Sequence, residues 1–146
     1  MPYVEVSTVI RGQPQAVYAL AKDMESYPQF MEDLESLKVL EREGNQTVTA
    51  WAGRLQGKVL KWTERDTFYD DVPRINYRQL SGDLKKFEGD WLFEPVDGGC
   101  KVTLTVDFEL GIPMFAAMFN PLAKIVVRKN CESMLQGLKR RIEGPA

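Results

Sequence analysis

Histidine is absent from this chain of 146 residues, and that absence excludes several kinds of chemistry. Without an imidazole there can be no Ser-His-Asp or Cys-His catalysis and no histidine-bearing metal site. Cysteine occurs only twice, as Cys100 and Cys131, in segments of different type and without a CxxC spacing. Two thiolates cannot hold a structural zinc ion alone, so we predict no metal and no other cofactor.

Long apolar runs and a charge excess are also lacking. No apolar run approaches the ~20 residues that span a bilayer, and the N-terminus has no basic region followed by an apolar stretch. We therefore expect a cytoplasmic protein whose cysteines are reduced. The net charge is −2, whereas a nucleic-acid binder usually has a basic excess, so we expect no nucleic-acid partner.

Basic residues do gather near the C-terminus at helical spacing. We interpret them as a solvated helix face, with a ribosome- or protein-binding surface as the alternative. They are Lys124, Arg128, Lys129, Lys139, Arg140 and Arg141.

The order of predicted elements indicates the fold. An alternating segment around Val4 predicts a first strand, and Pro14 and Asp23 suit the starts of two short helices. From about residue 37 to 110, turn residues recur roughly every ten positions, as in an antiparallel meander. Asn120-Pro121 then predicts an amphipathic helix reaching about Glu143. Residues 1–146 thus predict one α+β domain of the helix-grip class, a curved antiparallel sheet of about seven strands around a long C-terminal helix.

Large aromatic residues share the inner face of this predicted sheet. Gly53 and Gly89 lie among them, and glycine within a strand leaves space or permits a bend. We predict a ligand pocket on this face, with a plain aromatic core as the alternative. The predicted pocket residues are Trp51, Trp62, Tyr77, Phe87, Trp91, Phe93 and Phe108.

An apolar segment between the last strand and Asn120 adds Phe115, Met118 and Phe119 to the predicted ligand-binding residues. Methionine and phenylalanine adapt to irregular shapes, so this segment could form a lid over the pocket mouth. An ordinary extension of the core is the alternative.

Charged residues interrupt the predicted inner face. If Trp62 points inward, alternation places Glu64 and Asp66 inward and Arg65 outward, while a bulge would place Arg65 in the pocket. Buried carboxyls are candidate acids or bases, and Arg65 is a candidate catalytic cation. The alternative is that this strand end emerges into solvent. The candidate partners of the carboxyls are Arg54, Arg74 and Arg78.

Four segments resemble the polyketide cyclase/dehydratase group of the START-like (SRPBCC, helix-grip) superfamily. They are VYALAKDMESYPQF at 17–30, FEGDWLFEP at 87–95, CKVTL at 100–104 and DFEL at 107–110. The group includes aromatase/cyclases acting on poly-β-ketone chains held by a carrier protein, coenzyme Q-binding proteins and ribosome-associated toxin proteins. The resemblance covers nearly the whole chain and implies the helix-grip fold.

The resemblance also permits a comparison of pocket residues. The pocket arginine of the cyclases falls on Asp66, beside Arg65, and their pocket tyrosine falls on Leu34. One wall tryptophan matches Trp62 and another becomes Leu60. These departures argue against aromatase chemistry.

Three functions follow as hypotheses. The first is a binder of an apolar small molecule (a lipid, quinone or polyketide-like compound), with Arg65 or a carboxylate orienting one polar end. The second is a cyclase/dehydratase with an acyl carrier protein as partner, in which Arg65 stabilises an enolate and Glu64 or Asp66 moves protons. The third is a ribosome- or protein-binding module.

Overall fold

A computed structural model describes residues 3–55, 57–109 and 120–144, with side chains from 123 onward in the last range. Seven strands, two α-helices and one 3₁₀ helix make up these residues. In chain order they are β1 (Tyr3–Ile10), α1 (Pro14–Lys22), the 3₁₀ helix (Met24–Gln29), β2 (Leu34–Glu43), β3 (Gln46–Leu55), β4 (Lys58–Tyr69), β5 (Arg74–Gly82), β6 (Lys86–Val96), β7 (Gly99–Glu109) and α2 (Asn120–Glu143).

All strands form one antiparallel sheet in the order β1-β7-β6-β5-β4-β3-β2. The first and last of the described strands are therefore neighbours, because β1 pairs with β7. Apolar residues alternate with polar residues along the strands, so one face is buried and the other contacts solvent. The predicted α+β helix-grip architecture with seven strands is confirmed.

The segment between β1 and β2 closes one end of the sheet. Pro14 begins α1 as predicted, because its fixed φ and missing N–H suit a first helical turn. Asp23 precedes the 3₁₀ helix but makes no side-chain capping bond, so the predicted cap is wrong. Pro28 inside this segment prevents an α-helical ladder, and the buried side chain of Tyr27 anchors it by donating to the Ala21 carbonyl.

Helix α2 packs an apolar face against the sheet. Its buried positions recur at steps of three and four, which is the spacing of one helix face. They are Ala123, Val126, Val127, Cys131, Leu135 and Leu138. Gly137 permits a close approach, but to the Phe30 carbonyl oxygen after the 3₁₀ helix rather than to the sheet. Neither described α-helix is both long and apolar enough to cross a membrane.

Candidate ligand-binding cavity

A cavity lies between the inner face of the sheet and α2. About 70 Å³ of it is open to the centre of a water molecule, enough for roughly five waters at ~15 Å³ each. Apolar and aromatic side chains supply most of the wall. From the 3₁₀ helix region, the sheet and the β5–β6 connection the lining residues are Met31, Asp33, Leu34, Trp51, Gly53, Arg54, Leu55, Leu60, Trp62, Glu64, Tyr77, Leu84, Phe87, Trp91, Leu104, Val106 and Phe108. From α2 they are Val127, Asn130, Cys131, Ser133 and Met134.

Aromatic rings in mutual contact form one side of the cavity. Trp51 and Trp62 oppose each other across β3 and β4, and their rings stack with centroids 5.5 Å apart. Phe87 touches both Trp62 and Tyr77 at 5.4 and 5.5 Å between centroids. Offset and edge contacts of this kind hold aromatic rings in fixed orientations. The wall is therefore a continuous aromatic surface whose side chains come from the four adjacent strands β3, β4, β5 and β6.

Gly89 and Tyr77 meet where the ladder between β6 and β7 is interrupted. The Tyr77 hydroxyl donates to the Thr105 carbonyl at 2.7 Å, and a β-carbon on Gly89 would lie 1.9 Å from that same oxygen. The glycine thus permits a close approach of backbone and side chain rather than opening space, which corrects its predicted role. The Tyr77 ring lines the cavity while its hydroxyl is occupied by the backbone.

Glu64 and Asp66 point to the inner face of β4, as simple alternation predicts. Their exposed fractions are 2 % and 0 %, so the alternative in which this strand end emerges into solvent is wrong. A bulge does occur here, but its extra residue is Leu80 on β5, and β4 keeps its alternation. Arg65 is consequently exposed on the outer face, and its proposed place in the pocket is wrong.

The two carboxyl groups belong to a buried hydrogen-bond network. Trp62 Nε1 donates to Glu64 Oε1 at 2.8 Å, and the carboxyl group of Asp66 is the neighbour of the Glu64 carboxyl group. Thr47 and Thr49 lie opposite on β3 and donate to Asp66 Oδ2 at 3.2 and 2.6 Å. Glu64 lines the cavity, and Asp66 lies behind it. The network therefore connects the aromatic wall, through the Trp62 indole, to the two buried carboxyl groups.

Burial gives the two carboxyl groups different protonation behaviour. Loss of solvent raises the pKa of Glu64 well above its usual value, and the neighbouring Asp66 charge raises it further. Burial also raises the pKa of Asp66, but hydrogen bonds from Glu64, Thr49 and Thr47 act in the opposite direction. Of the two groups, Glu64 has its pKa raised further, so a single proton on the pair is held preferentially by Glu64.

The predicted arginine partners lie elsewhere. Arg54 pairs with Glu35 at 3.3 Å, Arg74 pairs with Asp90 at 2.8 Å, and Arg78 is exposed. The two carboxyl groups instead accept hydrogen bonds from the threonine hydroxyls of β3 and from the Trp62 indole. Among the described residues no group of three cysteine or acidic side chains could hold a metal ion.

Most of the predicted ligand-binding residues line the cavity. Those that do are Trp51, Trp62, Tyr77, Phe87, Trp91 and Phe108. Phe93 does not, because it packs edge-on against Tyr18 of α1 at 5.5 Å in the adjoining core. Phe115, Met118 and Phe119 lie outside the described residues, and the predicted lid with them.

Sequence reasoning missed the threonines and the cavity-facing residues Asn130 and Ser133 of α2. A signal for Thr47 and Thr49 was available, since alternation places both on the face of Trp51. The cavity also contains Cys131, whose pKa is raised to about 12 by burial, so this thiol is neutral.

Comparison with known proteins identifies the family. The family described as "Polyketide cyclase / dehydrase and lipid transport" matches residues 10–135, which is most of the chain. The chain belongs to this family.

Two proteins of similar sequence carry names that state different functions. The actinorhodin polyketide synthase bifunctional cyclase/dehydratase of Streptomyces coelicolor is 34 % identical over 95 residues, which are 63 % of this chain and 30 % of that protein. The ribosome association toxin RatA of Escherichia coli is 26 % identical over 133 residues, 88 % of this chain and 84 % of the toxin. The chain thus spans less than a third of the length of the cyclase/dehydratase that it resembles.

Solved structures support the fold. The protein TTHA0849 from Thermus thermophilus is 35 % identical, covers 97 % of each chain and superimposes with a TM-score of 0.92. A START superfamily protein from Mycobacterium smegmatis is 18 % identical, covers 98 % of each chain and gives a TM-score of 0.85. The predicted resemblance to the polyketide cyclase/dehydratase group is confirmed, and the START-like likeness is confirmed for the fold.

Proposed function

We propose that this protein binds a hydrophobic small molecule, such as a lipid, a quinone or a polyketide-like compound, in the cavity between its sheet and α2. The observation that supports this most directly is an aromatic wall left partly uncovered by the protein's own side chains. A ligand covering these rings would remove apolar surface from water, which favours binding by roughly 25 cal/mol per Å². Glu64 of β4 is a polar side chain at the cavity surface, and it would orient the ligand.

A cyclase/dehydratase acting on a poly-β-ketone chain, with an acyl carrier protein as partner, is the second candidate. One observation favours it: two neighbouring carboxyl groups are buried and both have raised pKa values, an arrangement that can supply an acid and a base side by side. The exposed position of Arg65 leaves the enolate-stabilising role in that hypothesis without its predicted residue. Binding without chemistry is therefore the better supported function.

A ribosome- or protein-binding module is the third hypothesis. Two of its basic residues are engaged within the protein: Arg128 and Lys139 of α2 donate to the Glu5 and Val9 carbonyls of β1. These bonds fasten the helix to the edge strand, which is a structural use of the charges. No described contact points to a macromolecular partner instead.

Mass spectrometry of the gently purified protein tests the proposal. We expect the native spectrum to show a stoichiometric apolar adduct that disappears on denaturation and can be extracted unchanged. A cyclase/dehydratase given a carrier-bound poly-β-ketone would instead yield a product lighter by water. If no adduct is found, and the neutral dye N-phenyl-1-naphthylamine does not bind to the purified protein either, the proposal is wrong.

A further inference from the structure

The hydrogen-bond network behind the aromatic wall accommodates one proton between its two carboxyl groups, and in that state the pair carries one negative charge. Asp66 Oδ2 accepts from two threonine hydroxyls, whereas Asp66 Oδ1 receives no donor from an amide, a hydroxyl or a cation. The proton of a neutral Glu64 is the donor available to that oxygen. Every carboxyl oxygen of the pair can thus be hydrogen-bonded while the pair carries a net charge of one.

No side chain of the protein compensates that charge. All 19 lysine and arginine residues lie within the described part of the chain, and none forms an ion pair with Glu64 or Asp66. Among the described lining residues Arg54 is the single cation, and it is directed to Glu35 and to the Glu32 carbonyl. A buried charge without a partner disfavours the folded state, and an arriving opposite charge relieves that.

The surfaces beside the carboxyl pair are those that attract organic cations. Glu64 accepts from the Trp62 indole, whose ring stacks on Trp51 and contacts Phe87. The faces of tryptophan rings carry partial negative charge and attract ammonium groups, most strongly away from water. A cavity bounded by such rings and by a buried anion therefore favours a ligand that is apolar over most of its length and positive at one end.

We propose that the cavity selects hydrophobic ligands that carry a protonated nitrogen, with the ammonium group seated against Glu64 and the Trp51–Trp62 pair. This rests on the proposed function and names the chemical class of its ligand. A hydroxyl group in the same place would gain a hydrogen bond but leave the buried charge uncompensated. A carboxylate would add a second negative charge beside the first.

Three probes with one ring system and different charge test this inference. Calorimetric titration at pH 7 compares 2-naphthylmethylamine, 2-naphthylmethanol and 2-naphthylacetate. We expect the amine to bind at least tenfold more tightly than the alcohol, and the alcohol at least tenfold more tightly than the carboxylate. Equal binding of amine and alcohol would overturn the inference and leave the proposed function intact, whereas failure of all three probes to bind would contradict both.

Variants assign the preference to the carboxyl pair. In Glu64→Gln combined with Asp66→Asn we expect the amine's advantage over the alcohol to fall below threefold, with alcohol binding retained. Glu41→Gln, an exposed change on β2, should keep the full preference. An unchanged preference in a folded double variant would overturn the assignment. If the double variant does not fold, the probe series on the unaltered protein decides the question.

Discussion

Glu64 and Asp66 stand two residues apart on β4, yet their surroundings give the two carboxyl groups different properties. Asp66 accepts hydrogen bonds from two threonine hydroxyls, which stabilise its ionised form, while Glu64 faces the aromatic cavity and has its pKa raised well above the usual value. Because the folded state raises both pKa values, it binds protons more tightly than the unfolded chain does. Their contribution to stability is therefore full below the ordinary carboxyl pKa and is lost as the pH rises toward the folded-state values.

The first residue-scale prediction is that Glu64→Gln makes stability less dependent on pH. Glutamine keeps an acceptor for Trp62 and a donor for Asp66 but does not titrate. The free energy of unfolding of the unaltered protein should fall between pH 5 and 8 by up to about 1.4 kcal/mol per pH unit for each titrating group. Denaturant titrations across this range should show a shallower fall in the variant. Glu41→Gln is the control, and an equally steep fall in Glu64→Gln would contradict the assignment.

At the scale of elements, α2 is positioned by the segment that precedes β2. A β-carbon on Gly137 would lie 2.5 Å from the Phe30 carbonyl oxygen and 3.3 Å from Met31, which itself lines the cavity. Glycine weakens a helix interior by ~1 kcal/mol relative to alanine. Its presence here is explained by contact between elements, because the carbonyl belongs to rigid backbone and cannot move aside.

Gly137→Ala should accordingly destabilise the protein although alanine is the better helix former. Overpacking of this kind destabilises by about 1–3 kcal/mol, which exceeds or offsets the gain in helix propensity. Chemical unfolding of the variant should show a net loss of about 1 kcal/mol. Lys129→Ala, at an exposed position of the same helix, should change stability by less than ~0.5 kcal/mol. A Gly137→Ala variant more stable than the unaltered protein would contradict this prediction, because it would show that the helix can shift without a loss of stability.

At the scale of the whole molecule, the cavity between the sheet and α2 is lined by residues of many elements. Its wall includes side chains from β3, β4, β5, β6, β7 and α2, together with Met31 and Leu34 at the entrance to β2. Gly53 is the residue of β3 at which a larger side chain would enter this space. A β-carbon there would meet Leu34 and Trp62 at 3.5 Å, an ordinary contact distance, so the first added atom fits and further atoms occupy the cavity.

Gly53→Val should therefore block ligand binding while the fold is retained. Valine suits an extended strand, and its methyl groups would fill the space beside Trp62. We expect the affinity for N-phenyl-1-naphthylamine to fall at least tenfold, measured by fluorescence titration. Ala50→Val, on the opposite face of β3, is the matched control and should bind within threefold of the unaltered protein. Unchanged binding by Gly53→Val would place the ligand outside this cavity.

Local periodicity in the sequence determined the order of elements, the aromatic inner face and the inward direction of Glu64 and Asp66. The alternation of apolar and polar residues along a strand, and the spacing of three to four residues between apolar positions along a helix, involve only residues near in sequence. These features can therefore be recognised from consecutive residues. Six of the predicted aromatic residues line the cavity for this reason. The family resemblance pointed to the same fold, which is confirmed.

Only the tertiary structure decided which side chains meet across strands. Thr47 and Thr49 reach Asp66 because the register of β3 and β4 sets Thr47 opposite Asp66 and Thr49 opposite Glu64. The bulge at Leu80 lies on β5 and leaves β4 unchanged. The positions of Phe93 beside Tyr18, of Gly89 against Thr105 and of Gly137 against Phe30 depend on residues distant in sequence. Strand register and the position of the helix on the sheet depend on contacts between segments distant in sequence. The apolar periodicity of a single segment carries no information about those contacts.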